Sequence, residues 1–512
     1  MTSFDERLRL LSPERLKGIR RGIEKESLRV HPDGHLALTP HPVALGSALA
    51  SPSITTDFSE SQIELVTGAH TSVQAAIAEL TQIHQFVYRS LAQTGDEQLW
   101  VSSMPSILPT DQGIPIGRYG SSNVGQAKSV YRIGLANRYG PRMQTISGIH
   151  YNWSLPGMSN EDYFALIRNF RRQSFLLLLL FGASPAVCPS FVAGQEHGLD
   201  TLSDRTLYLP YATSLRMGRL GYQSDAQSSL SVSYNDLEGY GASLQDALTR
   251  SYPPYQAIGI QGPQGDYRQM STTLLQIENE FYGTIRPKRV IFSGERPLHA
   301  LRERGVEYVE VRCMDLNPFL PVGIDDSTAR FLDTFLLHCL LLDSPPDTPL
   351  EIAELARNQH RTASRGREPG LTLERQGREV GLMDWAREIV GQCEAIAQAL
   401  DAAQGGGDHV KAWQAALDGL NHPESLPSAR VLAALIQQHD KVYVDFVRER
   451  SAQSQQTLLD APWDAEQQAH FEHMARESMH EQARIEAADT MPFEIYRREY
   501  LATKRLSVAR KA

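Results

Sequence analysis

The sequence predicts an α+β protein built on an antiparallel or mixed sheet. Segments in which apolar and polar residues alternate, as they do in strands, are concentrated in the first two thirds of the 512-residue chain. From Ala329 onward the pattern is mostly helical, and no fixed-period repeat is present. The length suits two or three average domains or one large one. We expect one domain over 1–512, with the sheet in 1–328 and a mainly helical part in 329–512.

The first elements are a helix, a strand and a turn. Residues 12–21 carry a helix start signal, because Ser12 is a preferred N-cap residue and a proline follows it. Residues 23–30 are predicted to form a strand. A proline and an aspartate then favour a turn, in which Gly34 takes a positive φ. We therefore expect a β-hairpin over 23–38.

Further strands and a helix follow from the same patterns. An alternating segment predicts a strand over 62–68, and helical periodicity predicts a helix over 72–93. Longer alternating segments predict strands within 143–156, 272–283 and 305–318.

The most apolar segment, residues 175–188, is shorter than the about 20 residues that a membrane span needs. It continues an amphipathic pattern that begins near residue 161, so we expect one long helix with a buried second half. The charged N-terminal residues lack the apolar core of a signal peptide. We expect no membrane partner.

Composition and charge exclude several other classes. With 41% hydrophobic and 21% charged residues, the chain is ordinary globular material. The net charge of −10 argues against a nucleic-acid partner, although a few arginines can still hold a small anion. The four cysteines form no C-x-x-C pair, which favours neither a zinc site nor disulfides and indicates a reducing cytoplasm. They are Cys188, Cys313, Cys339 and Cys393.

Two glutamates in the first strand raise the question of a charged site. Glu24 and Glu26 are two residues apart, so on a strand they point the same way and lie ~7 Å from each other. Two unit charges at that distance repel by about 2–3 kcal/mol at an effective dielectric constant near 20. Solvent would screen this repulsion on an open surface, whereas a cleft would require a cation.

Three other predicted strands place polar groups on one face in the same way. They contribute Glu64, the pair Glu310 and Arg312, and the set Gln144, Gly148, His150 and Asn152. Carboxylates with one imidazole suit Mg²⁺ or Mn²⁺, and their number suggests a multi-metal site for phosphoryl transfer. Any one such strand is more often a solvated sheet face, and the pattern alone leaves both interpretations open.

Other motifs carry less information. His473 and Glu477 have a helical spacing that suits a metal but lack the H-E-x-x-H order, so a solvated helix face is the better interpretation. Residues 259–266 are glycine-rich without the lysine of a phosphate-binding loop, and we expect a hairpin turn there. The basic cluster 286–289 fits either phosphate binding or a solvated surface.

Ordered blocks along the chain resemble a known family. They read LKGIRRGIEKESLRV, HPVALGSAL, ITTDFSE, YRIGLANRYGPRMQTISGIHYNWSLP, LFGASPAVC, LPYATSLRMGRLGYQS, LQIENEFYGTIRPKR and GVEYVEVRCMDLNPF. Together they closely resemble the proteobacterial class of glutamate–cysteine ligase (γ-glutamylcysteine synthetase). The resemblance runs from about residue 14 to about residue 369, is weak over 385–470, and returns at IEAADTMPFEIY.

This resemblance implies a fold similar to glutamine synthetase, in which a curved, mainly antiparallel sheet forms a funnel with helices outside. It implies a single catalytic domain that uses ATP to join the glutamate γ-carboxylate to the cysteine amine through a γ-glutamyl phosphate. That reaction is the first step of glutathione synthesis, and glutathione itself is an implied feedback inhibitor. The implied cofactor is Mg²⁺, with Mn²⁺ as an alternative.

The resemblance also assigns roles to residues. Arg312 and Glu310 would be catalytic, with Arg312 stabilising the transferred phosphoryl group. Arg216 would hold the glutamate α-carboxylate. The implied metal ligands are Glu24, Glu26, Asp57, Glu64, His150 and Glu310. The implied cysteine pocket consists of Phe58, Tyr131, Leu135, Gln144, Tyr222 and Tyr282.

Two other functions stay open at this point. One is a related ATP-dependent carboxylate–amine ligase that uses a different acceptor amine, which would change only the pocket around Tyr131 and Tyr222. The other is a non-catalytic sensor of amino acids or nucleotides on the same scaffold. The full set of carboxylates argues against the sensor, because a sensor has no need of several metals.

Overall fold

A computed structural model describes residues 4–221, 225–228 and 230–507. The strands are β1 (Arg20–Val30), β2 (Ile54–Thr56), β3 (Gln62–Val66), β4 (Gln98–Leu99), β5 (Ile149–Ser154), β6 (Ala186–Val187), β7 (Asp200–Ser203), β8 (Thr206–Tyr208), β9 (Ile285–Lys288), β10 (Tyr308–Met314), β11 (Thr372–Arg375) and β12 (Arg378–Gly381).

The α-helices are α1 (Phe4–Arg9), α2 (Pro13–Lys17), α3 (Val73–Thr94), α4 (Asn123–Tyr139), α5 (Pro141–Gln144), α6 (Asn160–Gln173), α7 (Phe175–Phe181), α8 (Asp225–Ser228), α9 (Leu237–Thr249), α10 (Pro253–Ile258), α11 (Pro297–Arg304), α12 (Asp326–Leu341), α13 (Pro349–Arg365), α14 (Leu382–Gln404), α15 (Asp408–Asn421), α16 (Pro427–Gln438), α17 (Tyr443–Asp460), α18 (Ala465–Ala488) and α19 (Phe493–Leu501).

The central sheet is antiparallel throughout and has the order β2-β3-β1-β5-β10-β9, with β4 beside the end of β1. The long strand β1 lies in its middle and pairs with β3 on one side and β5 on the other. Two small sheets, β6-β8-β7 and β11-β12, lie outside it.

The two faces of the central sheet differ in polarity. On one face, Ile23, Leu65, Tyr151, Val309 and Val311 are fully buried against a layer of helices that includes α3, α6, α7 and α12. Because strand side chains alternate, the residues between these positions point to the opposite face, and they are the predicted polar ones. Because helices cover one face of the central sheet, the carboxylates lie on its opposite face.

The first predicted elements are partly confirmed. The Ser12 side chain accepts a hydrogen bond from the Arg15 backbone N–H and caps α2, but the helix ends at Lys17 rather than at residue 21. The predicted strand 23–30 lies within β1. Gly34 has the expected positive φ of 88°. The predicted hairpin is wrong: only a bridge between Val30 and Leu36 forms, because at this end of β1 strand β3 already pairs with Leu28, and β4 with Arg29 and Val30.

Two predicted strands are corrected further along. The first half of 143–156 is not a strand, since the helical turn α5 ends at Gln144 and β5 begins at Ile149. Residues 272–283, all of which the structure describes, form no strand. A side chain, rather than a neighbouring strand, bonds the backbone there: the Glu280 carboxylate accepts a hydrogen bond from the Gln276 N–H at 2.6 Å and pairs with Arg138 at 2.9 Å.

Other predictions agree with the structure. Strand 62–68 corresponds to β3, helix 72–93 to α3, and 305–318 contains β10. The glycine-rich segment forms a turn closed by a bridge between Gln261 and Tyr267. The apolar run is buried, although it forms a separate helix, α7, that abuts α6 at Ser174. The four cysteines are buried free thiols, and the last third is helical apart from β11 and β12.

A membrane-crossing helix would need a long, nearly uncharged apolar stretch, and no helix within the described ranges has one.

Candidate functional site

Four strands of the central sheet bring the predicted carboxylates and the histidine together. Glu24 on β1 lies directly opposite His150 on β5, and Glu26 lies opposite Glu64 on β3. Glu310 on β10 lies opposite Asn152 on β5. Residues directly opposite each other in antiparallel strands point to the same face, so these groups share one surface of the sheet.

Three of these side chains form a compact group. One ligand atom each from Glu24, His150 and Glu310 lie within 4.8 Å of one another. His150 Nδ1 is 3.0 Å from Glu24 Oε2, and the Asn152 amide donates to Glu24 Oε1 at 2.9 Å. The amide and the imidazole therefore fix the Glu24 carboxylate in place.

Basic side chains hold Glu310 from the other side. Lys288 Nζ lies 3.0 Å from one carboxylate oxygen, and Arg312 Nη1 lies 3.1 Å from the other. Arg286, on the neighbouring strand β9, is directly opposite Glu310. Burial raises the pKa of Glu310, but Lys288 and Arg312 outweigh burial and hold this pKa well below its usual range. Glu310 is therefore ionised.

The other side of the group carries surplus negative charge. Burial, followed by the charges of Asp57 and Glu64, raises the pKa of Glu26 well above its usual range. Burial, Glu24 and Asp57 raise the pKa of Glu64 to about 8. Two carboxyl groups therefore retain protons near neutral pH unless a cation replaces those protons.

The side chains fit a divalent cation. A proton on His150 Nδ1, directed at Glu24, leaves the buried Nε2 with a lone pair, and Nε2 has no hydrogen-bond partner in the part of the chain that the structure describes. Glu26 Oε1 lies 3.7 Å from this nitrogen. Oxygen-rich sets with one imidazole suit hard cations such as Mg²⁺ and Mn²⁺.

These groups line a cavity of about 460 Å³ that we call the acidic cavity. Next to the carboxylates it has a small, largely apolar slot, in which Phe58 and Leu135 are buried. The Gln144 amide donates to the Tyr282 hydroxyl at 2.8 Å and fixes the direction of that hydroxyl. Of the sequence-predicted residues, the cavity contains Glu24, Glu26, Asp57, Phe58, Glu64, Tyr131, Leu135, Gln144, His150, Tyr282, Glu310 and Arg312.

The remaining two predicted residues lie elsewhere. Arg216 lines a second cavity of about 910 Å³, the basic cavity, which meets the acidic cavity at Tyr282 and Arg312. The Arg216 side chain is almost fully buried, and its Nη2 donates to the Arg312 carbonyl at 2.8 Å. Tyr222 lies outside the described residues.

Sequence reasoning missed several residues of the acidic cavity. Arg286 and Lys288 are two apart on a strand, the same spacing that drew attention to Glu24 and Glu26, but the cluster was equally compatible with a solvated surface. Lys128 and Arg132 on α4 also line the cavity. Alternation along a strand was a usable signal for the first pair, whereas α4 offered none.

The C-terminal helix α19 supplies another wall that was not anticipated. Tyr496 and Tyr500 line the acidic cavity and stack in parallel, with ring centroids 5.9 Å apart. The buried Arg296 donates to the Tyr500 carbonyl at 3.0 Å and pairs with Glu278 at 2.7 Å. These contacts join α19 to a cavity-lining carboxylate some 200 residues earlier in the chain.

Comparisons with known proteins identify the class and the family. A sequence profile of the glutamate–cysteine ligase family matches residues 9–362. A glutamate–cysteine ligase from Pseudomonas entomophila is 47% identical, over 98% of this chain and 97% of its own length. One from Janthinobacterium sp. is 48% identical, over 97% of both chains.

Solved structures agree with the sequence comparisons. A glutamate–cysteine ligase from Francisella tularensis, crystallised with AMP, superposes with a TM-score of 0.89 at 36% identity, covering 94% of this chain and 97% of its own. A bifunctional glutathione synthetase from Pasteurella multocida shares the fold, with a TM-score of 0.69 at 23% identity over 91% of this chain and 57% of its own.

The fold and these relatives together define an enzyme of the ligase class. The chain belongs to the glutamate–cysteine ligase family. Its activity is therefore the ATP-dependent formation of γ-glutamylcysteine, the reaction that begins glutathione synthesis.

Proposed function

We propose that the acidic cavity is the catalytic centre of this ligase. An oxygen of the glutamate γ-carboxylate attacks the γ-phosphorus of ATP, and the bond to the β,γ-bridging oxygen breaks to release ADP. The cysteine amine nitrogen then attacks the acyl carbon of the γ-glutamyl phosphate, inorganic phosphate leaves, and the nitrogen loses a proton. The observation that carries this proposal is the convergence of Glu24, His150 and Glu310, within 4.8 Å, with Lys288 and Arg312 beside them.

The acidic side chains have a common task in this proposal. Glu24, Glu26, Asp57, Glu64, His150 and Glu310 would hold Mg²⁺, or Mn²⁺ in its place. A divalent cation bound there supplies positive charge that offsets the repulsion between the nucleotide phosphates and the glutamate carboxylate. The raised pKa values of Glu26 and Glu64 support this assignment, because both carboxyls favour a positively charged partner.

The basic side chains around Glu310 act on the phosphoryl group. The Arg312 guanidinium is a planar fork of N–H donors that matches phosphate oxygens. Its pairing with Glu310 at 3.1 Å orients the fork along the cavity. Lys288 and Arg286 add two positive charges on the neighbouring strand. All three are held before substrate arrives, so their reorganisation costs little as negative charge is transferred.

Separate subsites take the two amino acids. Arg216, which bridges to the Arg312 backbone, holds the glutamate α-carboxylate at the junction of the two cavities. The slot of Phe58, Tyr131, Leu135, Gln144 and Tyr282 accepts the cysteine side chain. The assignment of Tyr222 to the same pocket comes from the family resemblance alone. A small apolar slot favours a thiol over larger or charged acceptors, because added volume has no space and a charge loses its hydration there.

The setting of the enzyme completes the proposal. It works in the cytoplasm as a single catalytic domain, without a nucleic-acid or membrane partner. Glutathione, which contains the product γ-glutamylcysteine, competes for the substrate site as a feedback inhibitor. The four free thiols support a reducing compartment.

An ADP-release assay tests the proposal. With glutamate, cysteine and ATP we expect ADP and γ-glutamylcysteine in equal amounts, and no turnover after EDTA until Mg²⁺ or Mn²⁺ is restored. Replacing cysteine by 2-aminobutyrate, which has the same length without the thiol, should retain turnover, whereas larger amines should not. A preference for a differently shaped amine would favour another carboxylate–amine ligase. No ADP release with any amino-acid pair would favour the sensor.

A further inference from the structure

Gly148, just before β5, lies directly beneath the guanidinium of Arg216. A Cβ atom placed on Gly148 would be 2.1 Å from Arg216 Nη2 and 2.4 Å from Cζ. Contacts this short do not occur in folded proteins. Gly148 is not among the glycines with positive φ, so its backbone conformation does not demand glycine. The constraint is the space that the guanidinium occupies.

Polar contacts hold the guanidinium next to Gly148. Asp315 Oδ1 lies 4.0 Å from Arg216 Nη1. Asp315 is itself fixed, because it accepts hydrogen bonds from Ser184 Oγ at 2.6 Å and Ser214 Oγ at 2.9 Å. Arg216 is 1% exposed, so packing surrounds it. A side chain at residue 148 would have to push the Arg216 guanidinium out of these contacts and towards the basic cavity that it lines.

The same glycine is bonded to a proposed metal ligand. Its N–H donates to Glu26 Oε2 at 2.7 Å, and its carbonyl accepts from the Glu26 N–H at 3.0 Å. Arg216 in turn donates to the carbonyl of Arg312 at 2.8 Å. Gly148 therefore lies where the Glu26 carboxylate, the Arg216 guanidinium and the Arg312 strand meet. Substitution by alanine retains the Gly148 N–H and carbonyl, so its direct steric effect falls on Arg216.

We infer that Gly148 is a positioning residue, whose missing side chain seats the Arg216 guanidinium where it binds the glutamate α-carboxylate. This inference rests on the proposed role of Arg216. According to this inference, the affinity for glutamate depends on Gly148 even though Gly148 need not contact glutamate. ATP affinity should not depend on it, because the groups proposed to act on the phosphates lie on β9, β10 and the carboxylate face.

The test is Gly148→Ala, with Gly391→Ala on α14 as the matched control, because a Cβ there meets no atom within 4 Å. We expect Gly148→Ala to raise KM for glutamate about tenfold or more and to leave KM for ATP within about twofold. Calorimetric titration with glutamate, without turnover, should show the same weakening. An equal rise in both KM values, or an unchanged KM for glutamate, would overturn the inference.

Arg216→Lys separates steric positioning from general damage. A flexible ammonium can move away from an added methyl group, so in the Arg216→Lys background Gly148→Ala should raise KM for glutamate less than twofold further. Additive effects would overturn the inference. If Gly148→Ala alone does not fold, folding of the double variant supports steric relief, and failure of the double variant to fold contradicts it.

The same variants separate this inference from the proposed function. If Arg216→Lys leaves KM for glutamate unchanged, the proposed carboxylate role of Arg216 fails, and the inference fails with it. If Arg216→Lys raises KM for glutamate while Gly148→Ala does not, only the inference about Gly148 fails.

Discussion

The two cavities that meet at Arg312 differ in their ionisable side chains. The acidic cavity has carboxylates on the three strands β1, β3 and β10 and a histidine on β5. Burial, and then the neighbouring carboxylates, raise the pKa values of Glu26 and Glu64. The basic cavity has no carboxylate among its described lining residues. Its basic residues are Arg171, Arg216, Arg219, Arg312, Arg357 and His360. One cavity is therefore suited to cations, and through them to phosphates, while the other is suited to carboxylate anions.

The cavities also differ in how far their charges are already paired. In the basic cavity, Arg171 pairs with Asp347 at 3.1 Å and Arg357 pairs with Glu374 at 2.6 Å, with both carboxylates outside the lining. Arg219 is exposed and makes no ion pair within the described ranges. The basic cavity thus presents a smaller net charge than its arginines suggest. We expect chemistry to be more sensitive to the acidic cavity than to the basic one.

The largest effect should come from Glu310→Gln in the acidic cavity. The amide retains the shape but loses the charge that pairs with Lys288 and Arg312, and it is a poorer cation ligand. We expect kcat to fall by at least about 10²–10³-fold, with an unchanged circular dichroism spectrum. The measurement is the rate of ADP release at saturating glutamate, cysteine and Mg²⁺.

The control for Glu310→Gln is Glu303→Gln on α11. Glu295, His299 and Glu303 also place ligand atoms within 4.8 Å of one another, but Arg304 donates to both carboxylates at 2.7 Å. We expect activity to stay within about twofold of wild type, as for surface substitutions. Comparable losses in the two variants would remove the distinction between the acidic cavity and an ordinary charged surface.

We expect an effect of intermediate size from His338, which affects the stability of the fold at acid pH. Measuring it shows whether a loss of activity at low pH comes from the cavities or from unfolding. His338 on α12 is fully buried against Phe4 and Phe335, and within the described chain neither ring nitrogen has a hydrogen-bond partner. Burial lowers the pKa of His338 from 6.5 to about 4. As pH falls, the His338 imidazole is therefore protonated in the unfolded chain before it is protonated in the folded one. The unfolding free energy consequently decreases between about pH 6.5 and about pH 4.

The variant that tests this is His338→Phe, which keeps an aromatic ring of similar size. The pKa difference corresponds to about 3 kcal/mol of unfolding free energy between pH 7 and pH 4. The measurement is urea unfolding at several pH values. Between pH 7 and pH 4, the unfolding free energy of wild type should fall by about 3 kcal/mol more than that of His338→Phe. His422→Gln, at an exposed histidine, is the control and should follow wild type. If His338→Phe follows wild type too, the buried ring does not govern acid stability.

Alternation along strands allowed most of the acidic cavity to be predicted from the sequence. Glu64 and Glu310 sit on strands whose other face is apolar, so burial of that face fixes where these carboxylates point. On β1 the other face also carries the buried polar residues Lys25 and Ser27, so only the spacing of Glu24 and Glu26 predicted their common direction. The helical last third and the capped start of α2 follow from equally local signals. These properties are set by neighbours a few residues away, which is why a single sequence suffices for them.

The parts that were missed depend on distant contacts. The hairpin over 23–38 fails because strands β3 and β4, rather than the local return segment, pair with the end of β1. The segment 272–283 alternates like a strand, but Glu280 is drawn to Arg138 on α4. The α19 wall of the cavity rests on Arg296, whose partners are far away in sequence. Such pairings leave no periodic pattern in the sequence.

The smallest effect should come from the basic cavity. Arg219→Gln removes an exposed charge that pairs with no carboxylate among the residues that the structure describes, so it lowers the positive potential that attracts the glutamate anion. We expect kcat/KM for glutamate to fall about two- to fivefold at low salt, with kcat unchanged. At about 1 M salt the Debye length is near 3 Å, and the difference from wild type should disappear.

The double variant Arg357→Gln/Glu374→Gln in the same cavity is the matched comparison. It removes one positive and one negative charge that lie 2.6 Å apart, so the net charge of the cavity region is unchanged. We expect kcat/KM for glutamate within about twofold of wild type at every salt concentration. Equal, salt-independent losses in both variants would mean that the basic cavity acts through local packing. A salt-sensitive loss confined to Arg219→Gln would show that its unpaired charge draws glutamate towards Arg216.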